Sequence, residues 1–141
     1  LNRRGIADIS EKVMANCQRA KQPISLILID IDLFDSIKQQ YGSKTGQQAL
    51  SAFTKTITEI LRRGDFIGQL REERFILVLP NTDESETLKL AEKIRLAVGQ
   101  ISIQYRTENI RLTASLGVLS TQTTYCYHTL ISNGVNAISL G

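Results

Sequence analysis

The sequence predicts an α/β protein of the α+β type: a mixed antiparallel sheet flanked by helices, in a ferredoxin-like or polymerase-palm-like arrangement. Segments with helical periodicity are interleaved with apolar runs, and two of those runs are joined directly as a hairpin. Direct hairpins pair antiparallel, whereas a fully parallel sheet needs a crossover between paired strands. No glycine-rich turn follows the first strand, which argues against a Rossmann or P-loop nucleotide site.

The first part of the chain is predicted to form a helix, a buried strand and a second helix. Over residues 6–21 the apolar side chains recur at three- and four-residue spacing, at Ile6, Ile9, Val13, Cys17 and Ala20. The isoleucine-rich run "SLILIDID" is typical of a buried strand, and Asp30 and Asp32 project to the same side of it. The second helix is predicted over 46–63, with Gly64 as its stop.

A hairpin with an unusual turn follows, in the stretch "FIGQLREERFILVLP" over 66–80. Two-residue turns normally place Gly, Asn or Asp where φ is positive, yet this turn is predicted to hold "REER" and no glycine. The role of these four charged residues is therefore the first question that the sequence raises.

The rest of the chain is predicted to contain a capped helix, two paired strands and a last helix. Asp83 and Glu86 suit the cap and third position of a helix whose inner face is Leu88, Ala91, Ile94 and Val98. Residues 101–105 and 110–120 alternate as paired strands, turning around Glu108 and Asn109. A final helix is predicted over 127–140.

Composition bounds the classes of function. The chain of 141 residues is expected to be one domain, 1–141, and its net charge of +3 is not gathered into the basic stripe of a nucleic-acid binder. No apolar run reaches the roughly 20 residues of a membrane helix, so we expect no membrane contact from this segment. The two cysteines lack metal-site spacing and are expected to be reduced thiols.

The ends of the chain suggest a larger protein. It begins without methionine and ends at "AISLG", so we expect a domain excised from a longer multidomain signalling protein. Other domains of the same chain are then its first expected partners. We expect the domain to be located in the cytoplasm, either in a cytoplasmic protein or as the cytosolic part of a membrane-anchored one.

Four separated motifs, "LNRR", "LIDIDLF", "RRGDFIGQLREERFILVLP" and "TASLGV", carry a resemblance to a known family. In order and spacing the chain resembles the GGDEF family, the diguanylate cyclase domains of bacterial signalling. Active members join two GTP molecules into cyclic di-GMP, working as a face-to-face pair. The resemblance implies the fold above, a homodimer as one assembly, and Mg²⁺ if a nucleotide binds at the active site.

The resemblance also implies metal ligands at three positions. Asp30 matches the first aspartate on the strand, and the backbone carbonyl of Ile31 would join it. Glu73 matches the acidic third residue of the hairpin signature, a metal ligand close to the reacting groups, and is the vestigial catalytic residue. Asp30 and Glu73 could instead hold no metal, with Arg74 or Lys38 supplying an internal positive charge.

Other positions of the site depart from the family. Arg71 and Glu72 replace the two signature glycines, and Arg74 replaces a glutamate. Lys38 and Gln47 replace the asparagine and aspartate that recognise guanine. Bulky side chains would fill the nucleotide's space, and the lysine removes the mixed donor and acceptor edge that reads guanine. We therefore expect no competent cyclase.

One further motif of the family is intact. Arg62 and Asp65 fit its Arg-x-x-Asp inhibitory motif, five residues before the signature, which in members binds cyclic di-GMP through phosphate and guanine contacts. The alternative is an ordinary arginine-rich helix end, which the helix dipole also favours. Three functions remain open: a cyclic di-GMP receptor or regulatory module, a structural dimerisation or partner-binding domain without nucleotide, and an active diguanylate cyclase.

Overall fold

The structure is a computed structural model that describes residues 2–121. Over this range the helices and strands follow in the order α1 (Arg3–Ala20), β1 (Ile24–Ile31), α2 (Phe34–Tyr41), α3 (Ser43–Ile60), β2 (Phe66–Gln69), β3 (Arg74–Pro80), α4 (Glu84–Gly99), β4 (Ser102–Tyr105), β5 (Glu108–Arg111) and β6 (Ala114–Thr121). The helix predicted over 127–140 lies outside the described residues. None of the described helices is long and apolar enough to cross a membrane.

The main sheet has the strand order β2-β3-β1-β6, and every neighbouring pair is antiparallel. Because side chains alternate along β1, its two faces contribute to two different cores. Leu26 and Leu28 pack with α1, whereas Ile27 and Ile29 pack with α2, α3 and α4. The predicted fold class, an antiparallel sheet flanked by helices, is confirmed.

Helix α1 lies against β2 and β3 on a buried stripe that differs slightly from the predicted one. Its buried side chains are Ile6, Ser10, Met14 and Cys17, while Ala20 is exposed. Ile6 lies so close to Gly68 of β2 that a Cβ at Gly68 would stand 2.5 Å from the Ile6 Cβ. Because Gly68 has no side chain, helix α1 can pack close to the backbone of β2.

The segment before the hairpin contains a helix that the periodicity did not predict. Residues 34–41 form α2, and Gly42, with φ of 93°, separates it from α3. Helix α3 begins at Ser43 and ends at Ile60, so the predicted span of 46–63 was displaced by three residues at each end. The positive φ suits glycine, which interrupts the helix without steric cost.

Two expectations for the later elements were wrong. The short strands β4 and β5 pair with each other around Arg106, whose φ is 54°, and not around Glu108 and Asn109. The predicted strand 110–120 is broken before Ala114, and its second part, β6, pairs with β1 in the main sheet. A continuous alternating pattern concealed this change of partner.

Helix α4 has the predicted beginning and a different inner face. Asp83 accepts from the backbone N–H of Glu86 at 2.8 Å, and the Glu86 side chain completes a capping box. Thr87 is fully buried where Leu88 was expected, while Leu88 is 52% exposed. Ile94 and Val98 are buried as predicted.

Candidate functional site

The charged turn between β2 and β3 is wide enough to need no glycine. Residues 70–73 connect the strands, and the N–H groups of Leu70 and Arg71 donate to the Arg74 carbonyl at 2.8 and 3.2 Å. Among described residues, positive φ at non-glycine positions occurs only outside this turn, at Lys21, Leu33, Asn81 and Arg106. The "REER" residues therefore adopt backbone conformations that ordinary side chains tolerate.

Arg74 and Asp30 form a two-pronged ion pair across the sheet. The register places Asp30 of β1 directly opposite Arg74 of β3. The Arg74 Nε donates to Asp30 Oδ1 at 2.6 Å, and Nη2 donates to Oδ2 at 2.7 Å. Only 14% of the Arg74 side chain and 21% of the Asp30 side chain are exposed. The hydrogen bond to Asp30 raises the pKa of the Arg74 guanidinium, which remains charged.

The neighbouring carboxylates line an open acidic cleft of about 420 Å³ between the end of β1 and the start of α2. Glu73 lies on its rim, and the Glu73 carbonyl accepts from the Ile31 N–H at 3.0 Å, which joins the hairpin to β1. Asp32 accepts from the hydroxyls of Ser115 at 2.7 Å and Thr113 at 2.9 Å. These two hydroxyl donors satisfy the Asp32 carboxylate at the strand end.

Lys38 forms a second ion pair with the hairpin. Its Nζ lies 2.7 Å from Glu72 Oε2, and the hydrogen bond to Glu72 raises the pKa of the Lys38 ammonium. The Lys38 stem crosses Gly46 so closely that a Cβ there would lie 2.7 Å from Lys38 Cγ, and Nζ is 5.5 Å from the Phe34 ring centre. Lys38 thus covers the surface between α2 and α3, while Gln47 is exposed on α3.

The residues at the end of β1 do not fit a divalent cation. Magnesium needs free carboxylate oxygens at about 2.0–2.1 Å, but both oxygens of Asp30 accept hydrogen bonds from Arg74. A guanidinium at this distance also repels any cation. Among residues 2–121, no cluster of three or more His, Cys, Asp or Glu side chains could hold a metal.

Arg62 and Asp65 meet at the other end of the hairpin, before β2. The Asp65 carboxylate accepts from the Arg62 backbone N–H at 2.9 Å and from Arg62 Nε at 3.3 Å. Arg62 Nη2 also donates to Thr82 Oγ1 at 2.5 Å. The Asp65 side chain is 3% exposed, whereas the Arg62 side chain is 58% exposed. Arg62 is thus positioned by fixed partners while much of its surface faces solvent.

Two cavities border this pair. One of about 190 Å³ is lined by both residues together with Ile60, Thr82, Glu86 and Leu90. The other, of about 280 Å³, is lined by Arg62, Arg63, Gly64, Asp65, Pro80 and Asn81. Thr82 was missed from the sequence, since no local pattern connects a threonine with an arginine 20 positions earlier. Only the three-dimensional neighbourhood of the β3–α4 connection reveals it.

Comparison with known proteins gives the same family throughout. The sequence matches the family model described as "Diguanylate cyclase, GGDEF domain" over residues 1–138. It is 37% identical over 118 residues to diguanylate cyclase DgcM of Escherichia coli K12, covering 84% of this chain and 28% of DgcM. It is 32% identical over 118 residues to diguanylate cyclase DosC of the same organism, covering 83% and 26%. The chain therefore spans about a quarter of these relatives.

Solved structures share the fold. The active GGEEF domain of a diguanylate cyclase from Vibrio cholerae matches with a TM-score of 0.90 at 28% identity, covering 99% of this chain and 88% of that one. The GGDEF domain of DgcB from Caulobacter crescentus, in complex with c-di-GMP, matches with a TM-score of 0.92 at 22% identity, covering 99% and 81%. At 22% identity the likeness shows the fold alone.

Proposed function

This chain belongs to the GGDEF domain family of diguanylate cyclases, and on that premise we propose that it is a catalytically inactive regulatory member. In this proposal it does not make cyclic di-GMP from GTP but binds it, through Arg62 and Asp65. The domain works in the bacterial cytoplasm and passes the binding event to other domains of its own chain. The short share of DgcM and DosC that the chain spans, 28% and 26%, supports a multidomain context.

The loss of catalysis is supported by the charges that occupy the old site. GGDEF diguanylate cyclases use Mg²⁺ at the active site. Here Arg74 takes both oxygens of Asp30, so only Glu73 is left of the two carboxylates that match the family's metal ligands. Mg²⁺ sites commonly combine one or two carboxylates with phosphates in octahedral geometry. Because Asp30 is engaged by Arg74, the binding of both the metal and the nucleotide is weakened.

Recognition of guanine is impaired for a separate reason. Lys38, which replaces the asparagine that reads guanine in the family, is paired with Glu72 at 2.7 Å. An ammonium has donors only, while guanine recognition requires both donors and acceptors. The cyclase site is therefore blocked twice, once at its metal ligand and once at its base-binding surface.

The receptor function is carried by one observation: Arg62 is fixed by Asp65 and Thr82, yet 58% of its side chain is exposed beside two cavities. A prepositioned guanidinium can bind a phosphate by two hydrogen bonds and stack on a base, at little cost in side-chain entropy. The Asp65 carboxylate serves this site by holding Arg62, because both of its oxygens accept from the Arg62 side chain and only 3% of the Asp65 side chain is exposed. Cyclic di-GMP offers both a phosphate and a base, and the DgcB structure was determined with it.

The proposal is tested by calorimetric titration of the domain with cyclic di-GMP. We expect saturable binding that Arg62→Ala weakens by at least about tenfold, since charge-assisted hydrogen bonds contribute about 1.5–3 kcal/mol and 1.4 kcal/mol is tenfold. Arg19→Ala is the matched control, because it removes the same charge from the exposed end of α1, on the opposite face of the sheet.

Two outcomes would contradict the proposal. Equal affinity in the wild type and Arg62→Ala would show that the ligand binds elsewhere. No heat with the wild-type protein, in a cell where a control ligand gives heat, would favour the partner-binding alternative. Circular dichroism of each variant separates loss of the site from loss of the fold.

A further inference from the structure

Arg74 of β3 places its guanidinium against Asp30 at the end of β1, where the family's metal ligand stands, and this suggests a specific role for it. We infer that the Arg74 guanidinium is a built-in substitute for the divalent cation, and that Asp30 and Glu73 form a latent cation site that Arg74 keeps closed. The inference rests on the proposed loss of catalysis. In this view Arg74 has replaced the cation, and removal of the Arg74 side chain would reopen the site at Asp30 and Glu73.

Occupancy by Arg74 and by a cation is mutually exclusive. The guanidinium nitrogens lie 2.6 and 2.7 Å from the two oxygens of Asp30, so no carboxylate edge is left for a metal at about 2.0–2.1 Å. Glu73, adjacent to Arg74 in sequence, also attracts the guanidinium. The positive charge therefore interacts with the same two carboxylates that a cation would need.

The sheet itself holds the substitute in place. Asp30 and Arg74 are directly opposed in the β1–β3 ladder, so the backbone brings the two groups together in the folded protein without bound ligand. The pair is mostly buried, with 14% and 21% of the side chains exposed, which limits competition from water and salt. Arginine matches this task better than lysine because its planar fork satisfies both carboxylate oxygens.

A second charge on the hairpin reinforces this arrangement. Lys38 of α2 contacts Glu72 at 2.7 Å, one residue before Glu73. The turn is thus attached to β1 by Arg74 and to α2 by Glu72, both through charges that the chain itself carries. These two ion pairs hold the hairpin against β1 and α2 through side chains of the protein itself.

The test is Mn²⁺ binding, measured by the electron paramagnetic resonance of free Mn²⁺ at millimolar total metal. We expect no saturable Mn²⁺ binding in the wild type at this concentration and one saturable site in Arg74→Ala. Adding Asp30→Asn to Arg74→Ala should remove it. Arg71→Ala is the matched control, because it deletes the same charge from the same turn without touching Asp30.

A second readout follows from linkage. Mn²⁺ that binds only the folded protein must raise the urea midpoint of Arg74→Ala and leave that of the wild type unchanged. If Arg74→Ala does not fold, Arg74→Gln keeps most of the side-chain volume without the charge and takes its place. Mn²⁺ binding of equal strength in the wild type, or none in a folded Arg74 variant, would overturn the inference.

This test is independent of the receptor site. Cyclic di-GMP titrated into the Arg74 variant reports on Arg62 at the other end of the hairpin, and Mn²⁺ reports on Asp30. Failure of one measurement therefore leaves the other prediction standing, so the two proposals are distinguishable in the same protein sample.

Discussion

The ion pair between Arg74 and Asp30 should stabilise the fold measurably, even though most surface ion pairs do not. The perturbation is a double-mutant cycle of Arg74→Ala, Asp30→Ala and the double variant. The cycle isolates the energy of the pair from the other contacts that each side chain makes. It also tests whether an internal charge has become part of the framework of this sheet.

The magnitude follows from the geometry and burial of the pair. Two unit charges at about 4 Å attract by about 4 kcal/mol at an effective dielectric constant of 20, before the cost of desolvation. Exposed pairs return only about 0.2–1 kcal/mol, whereas breaking a buried pair costs about 3–5 kcal/mol. Since 14% and 21% of these side chains are exposed, we expect a coupling energy between those limits, of about 2 kcal/mol.

The assay is urea denaturation followed by circular dichroism. With a denaturant slope of about 2 kcal/mol per molar urea, a loss of about 2 kcal/mol lowers the midpoint by about 1 M. Each single variant should be clearly destabilised, and the double variant less so than the sum of the two. A coupling energy below about 0.5 kcal/mol would contradict this expectation, because the Arg74–Asp30 pair would then behave like an exposed one.

Three further predictions concern packing and titration. Among the described residues the buried Ser10 hydroxyl has no hydrogen-bond partner, so Ser10→Ala should raise the unfolding free energy by about 1 kcal/mol in urea denaturation. Gly68→Ala should lower it by about 1–3 kcal/mol in the same assay, because the new Cβ would stand 2.5 Å from Ile6. The Tyr41 phenol donates to Glu108 at 3.1 Å, which raises its pKa above the ordinary 10.0. Folding therefore favours the neutral phenol, and its contribution to stability is complete below pH 10 and is lost as the pH rises through the raised pKa. Absorbance at 295 nm should show the Tyr41 phenol ionising above pH 10.

Each of these predictions has a control on the same chain. Ser51→Ala changes an exposed serine of α3 and should leave stability within about 0.5 kcal/mol of the wild type. Gly99→Ala places a Cβ more than 4 Å from the described residues outside its own helix turn and chain neighbours, and should be tolerated. Tyr41→Phe should remove from the absorbance curve a tyrosine that titrates above the ordinary 10.0, and a variant curve that loses a tyrosine at or below that value would contradict the assignment. Likewise, a less stable Ser10→Ala or an unaffected Gly68→Ala would contradict the packing described here.

The elements with local signals could be predicted from the sequence. The apolar run of β1, the hairpin and the capping box at Asp83 each depend on neighbouring residues, and each is present. Helix α2 was missed because it is only eight residues long and separated from α3 by a single residue, Gly42. The change of partner before Ala114 was missed because alternation reports the face of a strand and not its neighbour.

The chemistry of the site was predicted only as far as residue identity allows. The sequence left open whether Asp30 meets a metal, Arg74 or Lys38, because a choice among them requires the strand register. The structure pairs Asp30 with Arg74 and gives Lys38 to Glu72. In the same way the motif at Arg62 and Asp65 was visible along the chain, while the support from Thr82 depends on the fold.

The most direct test of the claim that the cyclase site is closed is a calorimetric titration with a non-hydrolysable GTP analogue in the presence of Mg²⁺. Binding of this analogue requires neither turnover nor a second domain, so it reports on the site alone. We expect no saturable heat in the wild-type domain. Mg²⁺-dependent binding that disappears in Glu73→Ala would contradict it, because the carboxylates would then still hold a metal-bound triphosphate despite Arg74.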